Sequence, residues 1–180
     1  MLVKRLSTMC LGVIVLTMAI NGCQKQTAFN VNIDTTVHSV YGVWNTNPDY
    51  STFVHLMEVA KFDDPLQMPG AYTIFAPTNE AFNKLPPGTI DMLEQPDESE
   101  KLRNLLWYHI AIYTLDPAYV AKYPVVQMGN QDNAYVVSNG STFLTINNAN
   151  VVAGPIVTRN ATIYGIDEVI IPQNPGYPGY

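Results

Sequence analysis

The chain has 180 residues, 47% of them hydrophobic, and carries 9 basic and 15 acidic side chains for a formal net charge of −6. A chain of this length and hydrophobicity folds as one domain of common size, which excludes an intrinsically disordered protein. The acidic balance excludes nucleic acid as a partner, because a negative surface repels phosphate groups.

The first 22 residues have the layout of a secretory signal. Two basic residues precede an apolar run over residues 10–20, well short of the roughly 20 residues that a membrane-spanning helix needs. Gly22 and Cys23 end this run and resemble the lipobox of bacterial lipoproteins, in which the cysteine thiol is acylated. We predict a signal peptide at residues 1–22 and a lipidated N-terminus with a polar tether at residues 23–34. The alternative is an ordinary signal with a cysteine there by chance.

This processing leaves no thiol for cysteine chemistry. Cys10 is removed with the signal and Cys23 carries lipid, which excludes a disulfide, a cysteine metal site and a cysteine nucleophile. Cleavage also removes two of the nine basic residues and no acidic one, so the mature chain has a formal net charge of −8. The predicted location is the bacterial cell envelope, with the outer membrane favoured and its periplasmic or outer face left open.

Hydrophobic periodicity predicts helices in the first half of the mature chain. Apolar residues recur at helical spacing over residues 37–44, 53–60 and 102–109, so each segment can bury one face. A further short helix is expected over residues 89–93.

The stretch "YTIFAPTNEAF", residues 72–82, predicts a strand followed by a helix. Its first half is β-branched and aromatic, and Pro77 should end the strand because proline has no N–H to donate. Thr78 or Asn79 can cap the helix through a side-chain oxygen. This stretch predicts local architecture, with no catalytic group in it.

The second half of the chain has the alternation of β-strands. Residues 134–147 alternate around Asn139-Gly140, a strong hairpin signal, and residues 151–157 and 162–172 predict two more strands. Helices followed by antiparallel strands indicate a single α+β domain.

Arrangements that would support catalysis are missing from the sequence. The three histidines, His38, His55 and His109, lie far apart and have no cysteine nearby to complete a zinc site. The nucleophile elbow, the phosphate loop and the dinucleotide-binding motif are all absent. We expect a non-enzymatic protein without catalytic, cofactor-binding or metal-binding residues. An envelope hydrolase remains a minor alternative.

Acidic residues cluster at three places. The loop at residues 94–100 lacks the ligand spacing of a calcium-binding loop, so we expect it to be solvated. The adjacent carboxylates at 63–64 and 167–168 point in different directions on any regular element, which favours structural or solvated roles.

His109 is the polar residue whose position is least expected, because it shares a helix face with leucines. A buried imidazole must have hydrogen-bond partners or lose free energy. We expect a buried core histidine, bonded to the turn at Thr78 and Asn79.

Three segments in order then resemble the fasciclin domain family. They are "YTIFAPTNEAFNKLP", "LRNLLWYHI" and "VVAGPIVTRNATIYGIDEVIIP", and the resemblance spans residues 35–172. It implies an antiparallel β-wedge with helices packed on it, in which the signature residues have structural roles. These residues are Thr78, Asn79, Tyr108, His109, Asn160 and Asp167.

Two departures from the family pattern affect what can be carried over. Asn160-Ala161 stands where the family usually has Asn-Gly, and Tyr164 replaces a frequent histidine, so the turn is in question. Pro155-Ile156 stands where adhesive animal members carry an Asp-Ile linked to integrin binding. Integrin recognition is therefore not supported.

The resemblance implies a membrane-anchored binding or cell-adhesion module whose partner is an unknown protein or glycan. The alternative is an accessory subunit that docks to a larger envelope assembly and has no ligand of its own. Residues 173–180 are expected to be a flexible tail, although Tyr177 and Tyr180 could stack on sugar rings.

Overall fold

The computed structural model describes residues 40–62 and 70–172. The predicted signal peptide, Cys23, the tether, the carboxylates at 63–64 and the C-terminal tail lie outside the described residues. Among the helices that are described, none is long and apolar enough to cross a membrane.

The helices lie mainly in the first half of the chain, as their apolar spacing predicts. They are α1 (Val40–Thr46), α2 (Ser51–Val59), α3 (Asn79–Asn83), α4 (Thr89–Leu93), α5 (Ser99–Tyr108) and α6 (Pro117–Val120). Single 3-10 turns at Pro48–Tyr50 and Pro96–Glu98 precede α2 and α5.

The strands form one seven-stranded sheet with the order β2-β1-β7-β6-β5-β4-β3. They are β1 (Tyr72–Pro77), β2 (Ile110–Ala111), β3 (Val125–Gln127), β4 (Asn133–Ser138), β5 (Phe143–Ile146), β6 (Ala149–Val157) and β7 (Ala161–Ile166). The predicted α+β class is confirmed.

The sheet is mixed, because β1 and β7 pair in parallel while every other neighbouring pair is antiparallel. Strands β3 to β7 pair with one another in chain order. Strand β7 then lies beside β1 and runs parallel to it. This long-range pair is absent from the predicted antiparallel wedge, since alternation within a strand does not specify its partner.

The two ends of the sheet approach each other. The N–H of Gly129, just after β3, donates to the carbonyl of Ile110 in β2 over 2.7 Å. The hydroxyl of Tyr113 donates to the carbonyl of Gln127 over 3.0 Å. A Cβ at Gly129 would collide with the ring of Trp107, so glycine permits this approach. The sheet is therefore a nearly closed wedge.

The paired strands β1 and β7 separate two hydrophobic clusters. Ile74 faces the cluster formed with the helices, whereas its neighbour Phe75 faces the cluster inside the wedge. Residues 73–77 of β1 are all buried, as expected for a strand covered on both faces.

Several element boundaries differ from the sequence prediction. Strand β1 ends at Pro77 as predicted, and differs only in that the proline itself is paired, opposite Ile166, because the end of a strand needs no further N–H donor. Strand β7 ends at Ile166, well before the predicted residue 172. Strands β2 and β3, with two and three residues, are too short to show a period in the sequence.

Candidate functional site

The predicted turn at Thr78 and Asn79 joins α3 to the start of α2. The Thr78 hydroxyl accepts from the N–H of Ala81 over 3.2 Å and caps α3. The Asn79 side chain accepts from the N–H of Thr52 over 3.0 Å and donates to the carbonyl of Pro48 over 2.8 Å. Asn79 therefore ties two helix starts together.

His109 is buried beyond the end of α5, with 1% of its surface exposed. Its Nδ1 lies 2.8 Å from the carbonyl of Leu105, and its Nε2 accepts from the N–H of Ile170 over 3.2 Å. The predicted bond to the turn at Thr78 and Asn79 is wrong, because the partners are backbone groups of α5 and of the segment after β7.

These bonds define the chemical state of His109. Nε2 acts as an acceptor and Nδ1 carries the proton, so the ring is neutral. Burial lowers the pKa of His109 from 6.5 to about 4, and the bond to Leu105 opposes this shift. A ring with both nitrogens occupied by backbone groups is not available for proton transfer.

Tyr108 points to the other side of the same helix end, into the wedge. Its hydroxyl donates to the carbonyl of Asn133 over 3.0 Å and accepts from the side chain of Asn147 over 3.0 Å. Burial raises the pKa of Tyr108, the bond from Asn147 lowers it, and Asp132 raises it. Tyr108 therefore connects α5 to two strands.

The two remaining signature residues flank β7. The carbonyl of Asn160 accepts from the N–H of Tyr72 over 2.9 Å, at the start of the parallel pair. Ala161 begins β7, and the turn before it is closed by the hydroxyl of Thr158, which accepts from the N–H of Ala161 over 3.0 Å. Alanine is therefore compatible with this turn.

Asp167 joins β7 to β6. It accepts from the side chain of Asn150 over 2.9 Å and from the N–H of Asn150 over 2.7 Å. The side-chain bond from Asn150 lowers the pKa of Asp167, and Lys84 at 3.9 Å acts in the same direction. Both carboxylate oxygens of Asp167 are thus used in hydrogen bonds within the protein.

Tyr164, in place of the family histidine, is part of the core inside the wedge. Its ring stacks on Phe75 at 5.8 Å and meets Phe143 edge-on at 4.9 Å. Burial raises the pKa of its hydroxyl. Pro155, at the position associated with integrin binding in animal members, is exposed where the register of β6 shifts.

The signature residues thus bond to the protein itself, and they do not converge on a common site. His55 is exposed and lies 3.0 Å from Glu94, away from the buried His109. Within residues 40–62 and 70–172, no three histidine, cysteine or acidic side chains are grouped to hold a metal ion.

A group of exposed, mostly aromatic residues lies apart from the signature residues. We call this group the tyrosine surface. It contains Tyr113, Tyr119, Tyr123, Val125 and Tyr135. Tyr119, Tyr123 and Tyr135 are between 53 and 61% exposed, and the rings of Tyr119 and Tyr123 lie 4.9 Å apart. Several large aromatic rings that are exposed to solvent close to one another are typical of binding surfaces.

An open cleft of about 440 Å³ lies at one end of the tyrosine surface, and we call it the amide cleft. It is lined by Tyr108, Val125, Asn133, Ala134, Tyr135, Asn147 and Asn148, all of which are uncharged. Val125 and Tyr135 are cross-strand neighbours on the outer face of β3 and β4. The volume of the amide cleft lies within the usual range for small-ligand sites.

Asn147 holds the amide cleft in shape. It occupies the two-residue turn between β5 and β6 with a φ of 50°, which asparagine tolerates. Its side-chain oxygen accepts from the N–H of Tyr135 over 2.9 Å, and its own N–H donates to the Tyr135 carbonyl over 2.7 Å. The backbone that carries the Tyr135 ring is therefore fixed before any ligand arrives.

Two further clefts adjoin the amide cleft. One of about 240 Å³, beside α6, shares Val125 with it and includes Tyr113 and Tyr119. Another of about 320 Å³ shares Asn147 and Asn148 and extends towards Glu168. The amide cleft is thus the middle of a longer depression.

The sequence prediction missed the tyrosine surface. The signal for Tyr135 was present, because the alternation of β4 places every second residue outward. Tyr113, Tyr119 and Tyr123 lie in the irregular segment around α6, where no periodicity indicates which side chains are exposed.

Comparison with known proteins identifies the family of this domain. The model of the Fasciclin domain matches residues 48–172, which is well over half of the chain. The chain belongs to the fasciclin domain family.

Bacterial relatives share this fasciclin domain. Protein sll1483 of Synechocystis sp. is 32% identical over 126 residues, covering 70% of this chain and 69% of that protein. The immunogenic protein MPB70 of Mycobacterium bovis is 41% identical over 103 residues, covering 57% of this chain and 51% of MPB70. The cell surface glycolipoprotein MPB83 of the same species is 38% identical over 103 residues, covering 57% of this chain and 44% of MPB83. The matched region is about half of each mycobacterial protein.

A solved structure shows the same fold. A FAS1 domain pair from the insect cell adhesion molecule Fasciclin I superposes with a TM-score of 0.64 and 19% sequence identity. The match covers 74% of this chain and 50% of the insect chain. The fasciclin fold is therefore confirmed.

Proposed function

We propose that this protein is a lipid-anchored, non-enzymatic binding or adhesion module of the bacterial cell envelope. The observation that carries the proposal is the fasciclin domain over residues 48–172, whose relatives include a cell surface glycolipoprotein and an insect cell adhesion molecule. The domain would present its tyrosine surface to a partner outside the cell or within the envelope.

The state of the polar signature residues supports a binding function without catalysis. Both ring nitrogens of His109 and the hydroxyl of Tyr108 are occupied by groups of the protein. A general acid or base must reach a substrate proton, and neither group is free to do so. The amide cleft offers aromatic rings and amides, which bind ligands but are poor proton carriers.

The sequence around Cys23 supports the anchor. Two or more acyl chains, each contributing about 0.8 kcal/mol per buried CH₂, hold a protein on a bilayer nearly irreversibly, whereas a single chain does not. An anchor of this kind would keep the fasciclin domain at the membrane without a spanning helix.

We predict that Cys23→Ala abolishes metabolic labelling with fatty acid and leaves an unprocessed or misplaced precursor. Cys10→Ala is the matched control, because Cys10 lies in the apolar run of the signal and its loss should leave the label in place. Label on the Cys23→Ala protein would contradict the anchor.

The adhesive function is tested in the same strains. Deletion of the gene should reduce attachment of the bacteria to surfaces or other cells, and the wild-type gene should restore it while the Cys23→Ala gene does not. Unchanged attachment in the deletion strain, together with no binding of the purified protein to a panel of glycans and surface proteins, would overturn the proposal.

A further inference from the structure

The amide cleft combines an aromatic ring carried on a fixed stretch of backbone with free amides. Tyr135 is half exposed at its edge, and the backbone of Tyr135 is held by two hydrogen bonds to Asn147. Because the backbone is held, only the two side-chain torsions of the tyrosine lose freedom when a ligand stacks on its ring. The apolar face of a sugar ring is one such ligand, because its C–H groups pack on an aromatic face while its hydroxyls remain outside.

Two asparagines supply hydrogen-bonding groups beside this ring. Asn133 and Asn148 are exposed lining residues, and in the part of the chain that is described their side chains have no hydrogen-bond partner within the protein. Each amide presents two N–H donors and one acceptor oxygen. This combination matches sugar hydroxyls, each of which donates once and accepts.

The charges favour a neutral ligand. All residues that line the amide cleft are uncharged, so an anionic ligand would find no counter-charge there. The chain carries a net charge of −6, which repels sialylated, sulfated or uronic-acid glycans. Neutral glycans avoid both penalties.

We propose that the amide cleft binds a neutral glycan, with Tyr135 stacked on a sugar ring and Asn133 and Asn148 bonded to its hydroxyls. This inference names a ligand class for the binding function proposed above and rests on it. Because Val125 lines both the amide cleft and the cleft with Tyr113 and Tyr119, a ligand of several sugar units can contact both. Affinity should therefore rise with the length of the oligosaccharide.

The test uses the full chain, purified in detergent micelles, on immobilised oligosaccharides of glucose, galactose, mannose and N-acetylglucosamine, with sialylated and uronic-acid oligosaccharides alongside. We expect binding to at least one neutral series, increasing with chain length. Tyr135→Ala and Asn133→Ala should each weaken binding at least tenfold, while Tyr135→Phe keeps the ring and stays within about threefold of the wild type.

Leu144→Ala is the control, because Leu144 is exposed on β5 outside the residues that line the cleft. It should leave binding unchanged, and thermal melts should show all four variants folded. The proposal is overturned by no binding to any neutral oligosaccharide, by binding to acidic oligosaccharides alone, or by binding that Tyr135→Ala and Asn133→Ala do not reduce. If deletion of the gene still reduces attachment in that case, the adhesive function proposed above is retained, with a protein as the partner.

Discussion

At the scale of single residues, His109 shows how a buried polar ring is made compatible with a core. Its ring lies 5.9 Å from that of Phe53, and the backbone of Leu105 and Ile170 satisfies both nitrogens. Protonation would place a second N–H against the N–H of Ile170, so the charged form loses a bond as well as solvation.

We predict that His109→Ala destabilises the fold at pH 7 by about 2–4 kcal/mol, through lost packing and a stranded N–H of Ile170. The pKa of His109 is about 4 in the folded protein and 6.5 in the unfolded chain, so the unfolded chain binds more protons between these values. The stabilising effect is complete above pH 6.5 and is lost as the pH falls towards 4. The gap between wild type and variant should thus narrow by about 2 kcal/mol between pH 7 and pH 5.

Chemical denaturation at pH 7 and pH 5 measures both effects. His55→Ala is the matched control, since its side chain is 56% exposed and its removal should change stability by less than about 0.5 kcal/mol. An unshifted denaturation curve for His109→Ala would show that the residue is dispensable for the fold. His109 would then become a candidate for a functional role.

At the scale of elements, β7 depends on the absence of a side chain at Gly165. A Cβ built there would collide with the hydroxyl of Tyr50, which is buried over the strand, and would lie 3.0 Å from the Cβ of Ala153. The glycine therefore lets the turn before α2 pack directly on β7, between the helices and the sheet.

We predict that Gly165→Ala destabilises the protein by about 1–3 kcal/mol, as overpacking of a filled core does. Tyr50→Phe removes the hydroxyl that the new methyl group would meet, so the double variant should lose less than the sum of the two single losses. Strict additivity in denaturant melts would mean that the strain arises at Ala153 or in the backbone.

The sequence predicted those elements whose residues carry a local signal. The helix over residues 89–93 and the hairpin at Asn139-Gly140 were found from apolar spacing and turn chemistry, and both are confirmed. Strand β2, with two residues, and the parallel pair of β1 and β7 depend on contacts between distant segments, which a single sequence does not display. The tyrosine surface was missed for a different reason, because Tyr113, Tyr119 and Tyr123 lie in the irregular segment around α6, which has no periodicity to show which side chains are exposed.

At the scale of the whole molecule, the wedge closes where Gly129 meets Ile110. We predict that Gly129→Ala opens this seam, because the new methyl group must displace the Trp107 ring or the Ile110 carbonyl. Amide exchange should then accelerate in β2 and β3 while the amides of β1 and β7 stay protected. Uniform acceleration across all strands would instead indicate global destabilisation, and unchanged exchange would show that the seam adapts.

The meeting of the sheet's two ends also bears on how the protein behaves at high local concentration, as it would on the membrane proposed above. Exposed strand edges are templates to which a strand of another chain can add, and proteins confined to a surface collide often. Here the bond between Gly129 and Ile110 brings one end of the sheet to the other. Less of the strand edge is therefore open to a neighbouring copy, so the local concentration of the protein could rise with less risk of fusing one sheet to the next.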